Sequence, residues 1–98
     1  MTINESEAAI QLKIIHKAKE LGYLVIRMNS GRARNNVRLA PAGTPDLLLV
    51  GPDGVTWVEV KDAFGKLRPE QIEMIDKLRK FGQEVIVARS VKDVYGTA

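Results

Sequence analysis

Gly43-Thr44-Pro45-Asp46-Leu47-Leu48-Leu49-Val50, followed by Gly51-Pro52-Asp53-Gly54 and then Val55-Thr56-Trp57-Val58-Glu59-Val60-Lys61, is the stretch that decides how this chain folds. Its outer parts read as two strands and its middle as a tight turn. Leu47 to Val50 form a short apolar run, and Val58 and Val60 alternate with Trp57, Glu59 and Lys61, the patterns of buried and half-buried strands. Pro52 fixes φ, Asp53 can bond its own backbone, and Gly54 accepts positive φ. Residues two apart on a strand share a face. Leu47, Leu49, Val58 and Val60 therefore make an apolar face for packing on helices, and Glu59 and Lys61 project together.

The turn sets the register. If Gly51 to Gly54 form a four-residue turn, Val50 pairs with Val55 and Asp46 falls opposite Glu59. If only Asp53 and Gly54 form the loop, Asp46 falls opposite Lys61. A three-residue loop with a bulge shifts the register by one and disperses the charges. Opposed residues have Cβ atoms roughly 4.5–5.5 Å apart, so either of the first two registers gathers two carboxylates and an ammonium. Adjacent carboxylates repel unless a cation intervenes, and hard oxygen ligands suit Mg²⁺ or Mn²⁺. The plainer alternative is a cross-strand salt bridge from Lys61 to Asp46 or Glu59 on a solvated face.

More of the chain bears on that choice. Pro45-Asp46, a dozen residues and then Glu59-Val60-Lys61 resembles the PD-(D/E)xK nuclease signature, which is short and common by chance. Asn29-Ser30-Gly31 ends an earlier strand, Gly43-Thr44-Pro45-Asp46 opens the next, and Gly65-Lys66-Leu67-Arg68-Pro69-Glu70-Gln71 leads into a helix. With Glu7 in the first helix, these resemble the VRR-NUC (virus-type replication-repair nuclease) family from about Glu7 to Val94.

Read outward from the hairpin, residues from about Glu5 to Leu21 form a helix, with Ile14, Ile15, Ala18 and Leu21 at helical spacing and Gly22 as the residue that ends it. Glu7 lies on the line of Gln11, Ile14, Ala18 and Leu21 and should point inward. Its structural alternative is a capping box with Asn4. His16, the only histidine, reads as an exposed helix residue. Tyr23 to Asn29 is an aliphatic strand expected to be covered on both faces. Ser30 to Ala42 lacks any periodicity, and its Arg32, Arg34 and Arg38 have no acidic residue among them. Arginine forks match phosphate geometry, so this loop is expected to contact DNA, as is Lys66.

Pro69 suits the first turn of a helix running to about Phe81, with Ile72, Ile75, Leu78 and Phe81 among its apolar positions and Gln71 facing inward. Arg68 stands where relatives often carry Ser or Thr, which weakens the expected cap. Glu84 to Ala88 is a fourth strand, and Val91 to Tyr95 a short last helix with Ser90 as its N-cap. The order helix, three strands, helix, strand, helix is an α+β organisation with a central mixed sheet flanked by helices. The resemblance implies the same restriction-endonuclease-like core.

Ninety-eight residues make one domain, and a chain this short buries only roughly 60% of its unfolded surface, so a dimer interface would supplement the core. Cysteine is absent, which excludes disulfides, thiolate metal sites and a cysteine nucleophile. No apolar run approaches a membrane span and no signal peptide is visible, so a cytoplasmic location is expected. The net charge of +3 is mild, and the distribution of charge says more than its sum.

The resemblance implies a metal-dependent DNA endonuclease. Asp46, Glu59 and the backbone carbonyl of Val60 would hold Mg²⁺ or Mn²⁺. Lys61 would orient or deprotonate the attacking water, and Gln71 would position Lys61 or the water. Glu7 would ligate the metal, a second metal or a water on the metal. Small members of the family resemble Holliday-junction resolvases, which implies a homodimer acting on branched DNA. The rival reading is a catalytically inactive DNA-binding module on the same fold.

Overall fold

A computed structural model describes residues 4–28 and 40–96. Helix α1 spans Glu7–Glu20, followed by strands β1 (Leu24–Arg27), β2 (Leu47–Gly51) and β3 (Gly54–Val60), helix α2 (Pro69–Lys80), strand β4 (Glu84–Ala88) and helix α3 (Lys92–Tyr95). The sheet runs β1-β2-β3-β4. The first three strands are antiparallel and β4 is parallel to β3, with α2 as the crossover that parallel strands require.

The hairpin takes the four-residue turn. Val50 pairs with Val55 and Gly51 with Gly54, so continuing the ladder sets Asp46 against Glu59. Leu47, Leu49, Val58 and Val60 form the buried face, packed with Ile10, Ile14, Ile15 and Ala18 of α1 and with Ala88. Full burial of such a side chain contributes about 1.5–3 kcal/mol relative to exposure. Helix α3 closes one side of this core through Val91, Val94 and Tyr95, and the Tyr95 hydroxyl donates to the Ile14 carbonyl at 2.8 Å. Burial pushes that phenol up to about 12.

Helices α1 and α2 end alike. The residue after each C-cap is a glycine, Gly22 or Gly82, with φ near +80°. The N–H groups of Tyr23 and Gln83 reach back to the carbonyls of Ala18 and Leu78, the six-to-one bond of a Schellman motif. Each motif turns the chain directly into a strand.

Several expectations need correction. The N-cap of α1 is Ser6, whose hydroxyl accepts from the Ala9 N–H at 3.1 Å. Asn4 therefore forms no capping box with Glu7, because the helix starts two residues later. Strand β1 is shorter than Tyr23–Asn29 and is not covered on both faces. It lies at the sheet edge, and Leu24 and Ile26 are exposed, because α1 packs on one face only and α2 packs against β4. In α2, Ile75 is buried but Ile72 and Phe81 are exposed, since only one narrow line of the helix meets the sheet. Ser90 does not cap α3: the N-cap is Val91, and Asp93 instead accepts from the Arg89 N–H at 2.8 Å.

Candidate active site

Val58, Glu59 and Val60 are consecutive in β3 and all buried, at 0%, 2% and 1% relative exposure. Strand alternation sends the two valines into the α1 core and the carboxylate to the opposite side. There the first turn of α2 meets it. The Gln71 amide nitrogen donates to Glu59 Oε1 at 3.0 Å, and Gln71 Oε1 accepts from the Arg68 N–H at 2.8 Å. One glutamine thus caps its own helix and holds the carboxyl, and it is itself buried. Pro69 in the first turn starts α2 where this is possible. Gln71 therefore reaches Glu59, whereas the resemblance pointed it at Lys61 or a water.

Asp46 arrives from the start of β2. Its Oδ2 accepts from the Val60 N–H at 2.8 Å, and its carboxyl lies beside that of Glu59. Burial, followed by the hydrogen bond and charge of Asp46, pushes the Glu59 carboxyl up to about 9, against the opposing pull of Lys61. Two neighbouring carboxyls, of which Glu59 keeps its proton to high pH, are a hard-oxygen donor set that a divalent cation fits, because a cation can take the proton's place.

The segment leading to Asp46 is held by backbone packing. Gly43 has φ +86°, and a Cβ there would overlap the Glu70 carbonyl, 2.6 Å from its carbon. Only glycine lets this loop press against the first turn of α2. Thr44 fastens the same loop through its hydroxyl, which donates to the Pro41 carbonyl at 2.7 Å.

Lys61 follows β3, with its N–H donating to the Ala88 carbonyl at 3.0 Å. Its side chain is half-buried and makes no ion pair or hydrogen bond among the described residues. The ion pairs there are Lys13–Glu5, Lys17–Glu20 and Arg68–Glu70. The cross-strand salt bridge that formed the plainer alternative is thus not made.

Glu7 is a correction. It lies on the azimuth of Ile10, Ile14 and Ala18 but is exposed, because the first turn of α1 extends past the end of the core. Its charge still reaches Glu59 and raises the affinity of that carboxyl for a proton. Among the described residues no three Asp, Glu, His or Cys side chains converge closely enough to hold a metal, so Asp46 and Glu59 stand as a pair. His16 is exposed. Arg32, Arg34 and Arg38 lie outside the described residues. Met28, the last described residue before them, donates its N–H to the Asp46 carbonyl at 2.8 Å.

Sequence reasoning overlooked Arg89. Its guanidinium donates to the carbonyls of Asp62 and Gly65 at 2.6 and 2.7 Å, bracing the loop that follows Lys61. No local pattern links residues so far apart, so nothing in the chain order signals this contact.

A family model of the VRR-NUC domain matches residues 5–92. The chain belongs to the VRR-NUC family. A solved structure described as a VRR_NUC domain shares the fold with a TM-score of 0.73 and 29% identity, over 93% of this chain and 92% of that one. Comparison with curated protein sequences gives no significant match. The mixed sheet flanked by helices is thus the nuclease-type fold of the VRR-NUC domain, and Asp46, Glu59, Lys61 and Gln71 occupy one end of it. Among the described residues no helix is long and apolar enough to cross a membrane.

Proposed function

We propose that the protein is a metal-dependent DNA nuclease that hydrolyses phosphodiester bonds, with Asp46, Glu59 and the Val60 carbonyl holding Mg²⁺ or Mn²⁺. The observation that carries this reading is a carboxyl pair, buried Glu59 with half-buried Asp46, beside a lysine that forms an ion pair with neither. A cation bound there supplies Lewis-acid polarisation of the phosphate and an acidified water. Gln71 fixes the Glu59 carboxylate, and the Val60 N–H fixes that of Asp46. Lys61 orients the attacking water and offsets charge developing on the phosphate. Glu7, exposed but near enough for its charge to act on Glu59, would ligate the metal, a second metal or a water on the metal. Arg32, Arg34, Arg38 and Lys66 contact the DNA backbone, and backbone contacts carry little sequence preference.

The same reading extends to a homodimer acting on branched DNA. Leu24 and Ile26 of β1 and Val55 of β3 are exposed on the sheet face away from α1, an apolar surface that a second copy would cover. Sedimentation of the protein at micromolar concentration tests this, and a monomer at all concentrations rejects it. The primary test is incubation of linear and branched DNA with the protein, with and without Mg²⁺ or Mn²⁺. Cleavage that requires the cation supports the nuclease. Tight binding without cleavage under any metal would instead establish a DNA-binding module on a nuclease fold.

A further inference from the structure

Phe64 is 79% exposed, more than any other large apolar side chain among the described residues. Single exposed apolar residues are common and by themselves require no ligand. Phe64 differs in how its backbone is held. Asp62 Oδ1 accepts from the Phe64 N–H at 3.0 Å and from the Gly65 N–H at 2.6 Å. Arg89 takes the carbonyls of Asp62 and Gly65. The phenyl ring therefore stands on a loop fixed from both sides, at a cost in backbone freedom. A loop braced in this way holds its ring in solvent instead of folding it onto the core.

Its place matters as much as its exposure. A Cβ on Gly65 would lie 3.4 Å from Lys61 Cδ, so the turn packs along the stem of the lysine assigned to the reaction. Consecutive residues are about 3.8 Å apart and consecutive nucleotides about 3.4 Å along a strand. Phe64, next to Gly65 and three residues from Lys61, is thus within a few nucleotides of a phosphate held at Lys61. Lys66, exposed, follows it and favours the backbone of the same strand, whereas Arg68 is paired with Glu70. An apolar planar ring among cations beside a phosphate matches the stacking platforms that bind unpaired bases.

We propose that Phe64 stacks on an unpaired nucleobase next to the cleaved phosphate, so that the protein favours DNA whose strands part at that point over continuous duplex. This rests on the nuclease reading for the position of the phosphate, and names the feature of the substrate that the site selects. A base inside an intact duplex already stacks on its neighbours and offers the ring no free face.

The test compares wild type, Phe64→Ala and Phe64→Trp on forked DNA and on uninterrupted duplex of equal length, in EDTA. Phe64→Ala should weaken binding to forked DNA about tenfold or more, change binding to duplex less than about threefold, and melt as wild type does. Phe64→Trp should retain the preference, and its added fluorescence should be quenched by forked DNA, with wild type as the control for Trp57. Equal losses on both DNAs, no loss on either, or an unquenched tryptophan overturns the proposal. Cleavage by wild type in Mn²⁺ is scored separately. Quenching with the selective loss but without cleavage would sustain the stacking role and count against the nuclease reading alone.

Discussion

The two faces of β3 bury neighbouring residues to the same depth, yet they differ in what burial accomplishes. On the α1 side, Val58 and Val60 are surrounded by Ile10, Ile14 and Leu47, and removing that apolar surface from water is the source of stability. On the other side Glu59 is as inaccessible, and burial there works against the charged form. It is tolerated because Gln71 donates to the carboxyl, and no buried side-chain polar atom is left unpaired among the described residues. One face of a strand is thus organised to hold the fold and the other to hold a charge that the fold alone does not need.

The sharpest way to break this contrast is Lys61→Ala. The side chain makes no bond that the fold depends on, so cleavage should fall by about 10²–10³ or more while the melting temperature stays put. A destabilised but active variant would place Lys61 on the structural side. The converse variant is Leu47→Ala, on the α1 face at 0% exposure, which should cost about 2–5 kcal/mol in chemical denaturation. Any activity that remains should retain its metal requirement. If Leu47→Ala instead lost metal dependence at full stability, the two faces would not be separable.

The next effect depends on pH. Glu59 holds its proton more tightly in the folded state, with its carboxyl raised from 4.5 to about 9. Its contribution to the metal-free protein is therefore complete below pH 4.5 and is lost as pH rises toward about 9. Melting curves in EDTA from pH 5 to 9 should show stability declining, and Glu59→Gln should flatten that decline. Parallel curves for the two proteins would mean that Glu59 is charged in the fold. The smallest effect per residue concerns Arg32, Arg34 and Arg38. Replacing all three by alanine should reduce the slope of log affinity against log salt by about 0.9 for each duplex phosphate that the arginines had neutralised. An unchanged slope would move the DNA-binding surface elsewhere on the protein.

Local chemistry makes the hairpin legible from the order of residues alone. Pro52 and Gly54 mark the turn, but its length, and with it whether Asp46 opposes Glu59 or Lys61, stays open until the strands are seen paired. Pro69 marks the start of α2 for the same reason, a backbone restriction carried by one residue. What depends on tertiary position is harder to read. The helical line through Glu7 is real, but spacing does not reveal that the core ends before the first turn of α1. Aliphatic content alone implies a strand covered on both faces, whereas β1 lies at an edge, with a face that no helix among the described residues covers. The inward direction of Gln71 follows from periodicity, while its partner depends on how α2 crosses the sheet. Arg89 and its two carbonyls leave no trace in the order of residues.

The close approach at Gly43 has a consequence for how much this region can vary. The glycine meets the carbonyl of Glu70 and the N–H of Gln71, both main-chain groups common to nearly every amino acid. The fit is therefore indifferent to what position 70 carries, and Glu70, Ile72 and Glu73 can be rewritten for solubility or labelling without moving Asp46. The opposite partner has no such latitude. In this joint between loop and helix, all the freedom to diverge lies on one side, and the glycine alone carries the constraint.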